Sequence, residues 1–364
     1  MTQTAIPYLF MRGGTSRGPY FNRADLPEDL DDLARVLVAV VGSGHPLNID
    51  GIGGGSAVTT KVAMLSKSDD EWADIDYFFA QVSVEDGLVD FKPTCGNILS
   101  GVGAAAIELG LYPAQTGETE IKIRAVNTGA RIVTRVQTDG SAPIYDGDFA
   151  VDGVPGTAAP VSLDFMQVAG SSTGAFLPTG SIIDTIDGID VTCMDVAMPM
   201  VIARATDFGL TGHETREELD ANRAFFDRME AIRIQAGALM GMGDVTKSVT
   251  PKFGLVAPAA RGGTLAVRYF MPWTTHPTVA VTGSQCLASC ALTPGSVADG
   301  LVTPPAKGPL TVTLEHPMGL LDVIIDYDIT DGAFNHISAG LMRTCRKIAK
   351  GEVFVSKSIW ENTQ

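Results

Sequence analysis

The chain has 364 residues, with 42 acidic side chains against 26 basic ones and a formal net charge of −16. Phosphate backbones require a basic stripe, and no run of clustered lysine or arginine occurs, so nucleic acid is excluded as a partner. Hydrophobic residues make up 45%, which suits packed cores and excludes general disorder.

The N-terminal stretch MTQTAIPYLFMRGG lacks the charged n-region and long apolar core of a secretion signal. The most apolar run, residues 33–41, is too short to span a bilayer and contains Arg35. Five dispersed cysteines fit reduced thiols better than a disulfide framework. These features predict a cytoplasmic protein with no membrane role. The length is that of two domains.

In chain order, strand-like runs fall at residues 6–11, 76–84, 87–92, 121–126 and 130–138. Later runs cover 189–198, 264–270, 310–316 and 320–329. Glycine, aspartate and asparagine punctuate them, as in mostly antiparallel sheet. Apolar residues at three-to-four spacing predict helices over 30–41 and 213–240. Two more helices, 96–109 (GNILSGVGAAAIEL) and 283–292 (GSQCLASCAL), are apolar almost all round, so they should be buried. Their starts, Cys95-Gly96 and Thr282-Gly283, lie about half the chain apart. This reads as an internal duplication, an α+β fold of two similar domains, 1–176 and 177–364. Each would curl a sheet around one central helix, with the boundary in the turn-rich segment 169–180. Two unrelated buried helices are the alternative.

Glycine is over-represented at 40 residues, about 11% against a usual ~7%. Without a collagen repeat, these glycines must serve turns or close backbone approaches. Four fall at 51–55, in IDGIGGGSAVTTK, and predict a nest of backbone N–H groups for an anion. Neither nucleotide fingerprint fits: Ser56 stands where a Rossmann loop needs glycine, and Thr60 where a P-loop does. Lys61 follows at a predicted strand start, with its amine near the loop. It is a candidate base, with a solvated surface lysine as the alternative.

In TCGN, Cys95 occupies a predicted helix N-terminus, where the dipole favours a thiolate over a thiol. Gly96 would let a ligand approach, and Asn97 adds an amide. A cysteine packed as a small hydrophobe is the other reading. FMRGGTSRGPYF gathers Arg12, Gly13, Gly14, Thr15, Ser16 and Arg17 as an anion site, or as a hairpin with exposed arginines. In the second half, Arg268, His276, Thr282 and Gly283 converge in sequence on the second buried helix. Cys286 and Cys290 lack a second ligand pair, and no metal pattern or GxSxG elbow is present. No cofactor is called for.

Taken together, MRGGTSRG, DGIGGGSAVTTK, CGNILSGVG, DGVPGTAAPV, LPTG and TGS resemble the PrpF family of isomerases, which share the diaminopimelate-epimerase fold. IDGIGG, CGNILSGVG with AIELGL, and VTCMD with AMPMV are most similar to its 4-oxalomesaconate tautomerases. The resemblance implies a cofactor-independent isomerase of an unsaturated tricarboxylate, in protocatechuate or gallate catabolism. Isomerisation of 2-methylaconitate or aconitate is the alternative. It implies an active site in a cleft between the domains, and it admits a homodimer. Epimerases of this fold use two cysteines; here Thr282 stands at the second position. The family pattern instead implies a proton-transfer pair of Lys61 and Cys95. Arg12, Gly14, Thr15, Ser16, Arg17, Ser56, Gly96, Asn97, Arg268, His276, Thr282 and Gly283 would bind substrate. A cysteine-nucleophile hydrolase and a noncatalytic carboxylate-binding protein are the competing classes.

Overall fold

A computed structural model describes residues 2–271 and 273–361, and its contacts divide the chain into two compact units. The first comprises residues 1–164 and 342–364, the second 165–341.

The first unit contains β1 (Gln3–Gly13), β2 (Ser16–Asn22), α1 (Leu30–Val41), β3 (Lys61–Lys67), β4 (Ile75–Val82) and β5 (Val89–Asp90). Next come α2 (Gly96–Leu99), α3 (Val102–Glu108), β6 (Thr116–Ala125), β7 (Ala130–Asp139), β8 (Phe149–Ala150), β9 (Thr157–Ala158) and β10 (Pro160–Met166). The helix over 30–41 forms as expected. Asp29 caps it by accepting from the Asp31 and Asp32 N–H groups, and Gly42 ends it at φ +76°. The main sheet runs β1-β2-β3-β4-β6-β7-β10. The buried residues of α3, Val102 to Ile107, pack inside it.

The second unit contains β11 (Asp184–Ile186), β12 (Ile189–Asp195), β13 (Pro199–Arg204), α4 (Arg216–Ala221), α5 (Arg223–Leu239), β14 (Lys252–Pro258) and β15 (Leu265–Phe270). It continues with α6 (Val281–Leu292), β16 (Leu310–His316) and β17 (Gly319–Thr330). These strands form a sheet in the order β17-β16-β15-β14-β13-β12-β11. Every residue of α6 from Gly283 to Leu292 is buried, as its all-round apolar sequence predicts. The helix expected over 213–240 is divided at Asn222, whose side chain caps α5 through the Phe225 N–H.

The long strand β18 (Ala333–Ser356) begins in the second unit, paired with β17, and ends in the first, paired with β1. The last helix, α7 (Lys357–Glu361), follows it. The division therefore differs from the expected 1–176 and 177–364. Residues 342–364 return to the first unit because β18 pairs along β1 from Gly13 to Gln3. The turn-rich segment belongs to the second unit: Asp195 accepts from the Ser172 and Thr173 N–H groups, and Phe176 stacks on Phe334. No helix among the described residues is long and apolar enough to cross a membrane.

The glycine-rich loop after α1 is organised by a residue the sequence did not single out. Asn48 is buried with φ +47°. Its amide donates to the Gly42, His45 and Val84 carbonyls, and its Oδ1 accepts from the Gly55 N–H at 2.8 Å. Asn48→Ala should strand these buried groups and lower stability in urea unfolding by about 2 kcal/mol or more. An unchanged midpoint would show that the loop is held otherwise.

Candidate functional site

The N-terminal candidate motif forms a tight hairpin. Gly13 pairs with Ser16, and Gly14-Thr15 make the two-residue turn, with Gly14 at φ +50°. The turn rests on the start of α2. The Thr15 N–H lies 3.5 Å from Asn97 Oδ1, and a Cβ at Gly14 would fall 2.3 Å from that same oxygen. A Cβ at Gly13 would fall 2.4 Å from the Asn97 carbonyl oxygen. Both glycines are therefore demanded by contact with α2.

Arg12 is half-buried, and its Nη1 donates to the Gly14 and Thr344 carbonyls, fastening the turn to β18. Burial holds this guanidinium below its usual pKa. Arg17 is exposed and lies 5.7 Å over the Phe10 ring. Thr15 is exposed; Ser16 is 3% exposed, and its Oγ has no hydrogen-bond partner among the described residues.

Cys95 is the extended N-cap of α2, at φ −134° and ψ 109°, and accepts the first helical bond from Leu99. The expected single helix over 96–109 is broken after one turn. Ser100 and Gly101 donate to the Asn97 and Ile98 carbonyls three residues back. A Cβ at Gly101 would fall 2.5 Å from the Tyr20 hydroxyl oxygen. That hydroxyl donates to the Ile98 carbonyl at 2.6 Å, and the Tyr77 hydroxyl donates to the Cys95 carbonyl at 3.3 Å. Burial raises both tyrosine pKa values well above the ordinary one, so both remain hydrogen-bond donors. Gly96 faces open space: a Cβ there would meet nothing within 4 Å.

Lys61 opens β3, as expected. Its Nζ donates to Gln81 Oε1 at 2.6 Å and lies 5.3 Å over the Phe79 ring. Tyr77, Phe79 and Gln81 alternate along β4, so they share one face. That face holds Lys61 through Gln81 and Phe79, and the Cys95 carbonyl through Tyr77. The structure thus ties both candidate proton carriers to a single strand.

Four of the five N–H groups of the anion nest expected at 51–55 are taken by the chain itself. The Gly51 N–H donates to the Asn48 carbonyl, Ile52 to Val40, Gly53 to Val41, and Gly55 to the Asn48 side chain. The Ser56 N–H donates to Thr59 Oγ1. The glycines serve packing instead: a Cβ at Gly51 would lie 2.2 Å from the Gly42 nitrogen. Ser56 itself is exposed on this loop. The loop still borders the hairpin, because the Arg17 N–H donates to the Val58 carbonyl.

In the second unit, α6 starts at Val281 with Ala280 as its N-cap, and Ser284 donates back to the Ala280 carbonyl. Thr282 therefore lies inside the first turn of α6, whereas Cys95 caps α2. Gly283 is required by Tyr269, whose ring a Cβ would meet at 2.2 Å. His276 packs edge-on against that ring, and its Nδ1 accepts from the Thr278 N–H at 3.0 Å. Burial lowers the His276 pKa, so at neutral pH the ring carries its proton on Nε2 as a donor.

Arg268 does not join this cluster. Along β15, Leu265, Val267 and Tyr269 face the core around α6, whereas Ala266 and Phe270 face the core around α5. Arg268 has the latter parity; its Nε donates to the Glu214 carbonyl at 2.7 Å. It lines a cavity of about 570 Å³ with His213, Arg216 and Arg261.

The chain is thus two α+β units, with a half-exposed cysteine at the start of α2 and a lysine opening β3, and its likeness to known proteins extends over nearly its whole length. The family described as PrpF protein matches residues 3–356. The chain is 46% identical to "(4E)-oxalomesaconate Delta-isomerase" of Novosphingobium sp. (strain KA1), over 96% of this chain and 98% of that one. It is 42% identical to "4-oxalomesaconate tautomerase" of Pseudomonas putida, over 99% of each. Its structure matches the crystal structure of methylitaconate-delta-isomerase with TM-score 0.89 and 32% identity, covering 99% of this chain and 97% of that one. The chain belongs to the PrpF family and is an isomerase.

Of the five cysteines, only Cys95 is not buried. Burial pushes the Cys193, Cys290 and Cys345 thiols up to about 12 and raises that of Cys286 as well. Brief treatment of the folded protein with iodoacetamide should place one adduct, on Cys95. Equal labelling of Cys345 by mass spectrometry would contradict this arrangement.

Proposed function

We propose that the protein moves a proton within 4-oxalomesaconate without a cofactor, with Lys61 and Cys95 as the proton carriers. The observation that carries this reading is the shared face of β4. Tyr77 bonds the backbone of Cys95, while Phe79 and Gln81 hold the Lys61 amine. Two relatives above 40% identity bear names for isomerases of that substrate. Those named "3-methylitaconate isomerase" and "2-methyl-aconitate isomerase" are 34% and 31% identical, which favours the oxalomesaconate reading over its alternative.

The chemistry needs no redox step. A C–H next to a carbonyl, or one double bond removed from it, loses its proton to one carrier. The electron pair spreads onto oxygen as an enolate. The other carrier delivers a proton to that oxygen, giving the enol, or to a different carbon, giving the shifted double bond. Atoms and charge balance, and the reverse reaction exchanges the two roles. Phe79 covers one side of the ammonium, and Gln81 fixes its direction. The Thr15 N–H, Ser16 Oγ and Asn97 amide lie at the hairpin and helix start as donors for carboxylates.

Wild-type protein should turn over 4-oxalomesaconate with a higher kcat/KM than 2-methylaconitate. Lys61→Met and Cys95→Ser should each lower kcat by about 100-fold or more, the scale of a lost general acid or base. Wild-type-like turnover in both variants would sink the pair, and faster turnover of 2-methylaconitate would overturn the substrate.

A further inference from the structure

Strand β18 carries a further arginine, Arg343, in its middle. In the register with β1, Met11 lies opposite Lys347 and Gly13 opposite Cys345. Opposed residues of an antiparallel pair share a face. That face is the one turned to α2 and α3, because Lys347 Nζ bonds Glu108 at the end of α3 and Gly13 abuts the Asn97 carbonyl. Two residues further on, by strand alternation, Arg343 shares it. The step from Lys347 to Cys345 runs from the C-terminal end of α3 toward the start of α2. The next step of about 6–7 Å carries the strand on in the same direction to Arg343.

Arg343 is half-buried there without a carboxylate partner among the described residues. Its recorded hydrogen bond goes from Nη1 to the carbonyl of its own neighbour, Met342. Burial holds its guanidinium below the usual pKa, and no neighbouring charge offsets that. A guanidinium taken from water without an anion is costly unless a ligand supplies one. A second observation points the same way. Ser16 lies opposite Gly13 on β2, hence on this same face, and its buried Oγ has no partner. A buried hydroxyl and a half-buried guanidinium, both short of acceptors, lie along the face turned to α2.

We infer that Arg343 binds a carboxylate of the substrate, with Ser16 as its neutral companion. The inference rests on the reading of the protein as a tricarboxylate isomerase and adds the residue that neutralises the anion. In a chain of net charge −16, such a local cation offsets the unfavourable field met by a trianion. Arg12 does not fill this role through Nη1, which is committed to the hairpin and β18 carbonyls. Arg343 is a binding residue: it holds the substrate, and the proton transfer belongs to other groups.

The test is calorimetric binding of aconitate, an unsaturated tricarboxylate, to wild type, Arg343→Gln and Arg343→Lys, with melting temperatures recorded in parallel. Arg343→Gln should weaken binding about tenfold or more, the worth of a hydrogen bond to a charged group. Arg343→Lys should recover part of that affinity, and both variants should melt like wild type. In turnover of 4-oxalomesaconate, the loss should fall mainly on KM, with kcat nearly kept. Wild-type affinity in Arg343→Gln, or a loss matched by a fall in melting temperature and not rescued by lysine, would overturn the role of Arg343 alone. Failure of the wild type to bind any unsaturated tricarboxylate would overturn the functional reading and this inference with it.

Discussion

The alternation of side chains along β4 is the constraint on which the candidate site depends. Tyr77, Phe79 and Gln81 must project from one face, and each has a separate task. Tyr77 reaches the carbonyl of the N-cap of α2, Phe79 lies under the ammonium of Lys61, and Gln81 accepts from it. Sliding β4 by one residue against its neighbours would turn all three away together. The slip is opposed by pairing with β3 from Lys61 to Lys67, antiparallel to Gln81 through Ile75. The strand that begins with the candidate base is thus the same one that fixes the register of the residues holding it.

The surrounding glycines have roles as close contacts, and that separates what the sequence conveys from what it hides. A glycine run in a loop looks alike whether its N–H groups meet an anion or another segment of chain. At Gly51, Gly53 and Gly55 they meet the end of α1 and Asn48. At Gly13, Gly14 and Gly101 the approach is to α2 and Tyr20. It positions Cys95 indirectly, by letting the hairpin lie directly on the helix. Gly96 alone, among the glycines singled out, has open space before it.

Local pattern revealed the α+β class, the helix over 30–41, the buried character of the two apolar helices and the strand start at Lys61. It did not reveal features set by partners distant in sequence. The break after Leu99 is imposed by Tyr20, 81 positions away from Gly101, and a period count over 96–109 cannot detect it. Arg268 lies near Thr282 in sequence, yet strand parity puts it on the opposite side of the sheet from α6. The register that sets Lys347 and Cys345 opposite Met11 and Gly13 joins the two ends of the chain. Long pairings such as β1 with β18 leave no short-range signal.

The most direct measurement is a crystal structure of the protein with a slowly reacting unsaturated tricarboxylate bound. The account predicts Lys61 Nζ and Cys95 Sγ each within about 4 Å of the ligand atoms between which the proton moves, near the separations of a reactive geometry. A ligand seated away from either group, with Lys61 still turned to Gln81 and Cys95 facing solvent, would contradict it.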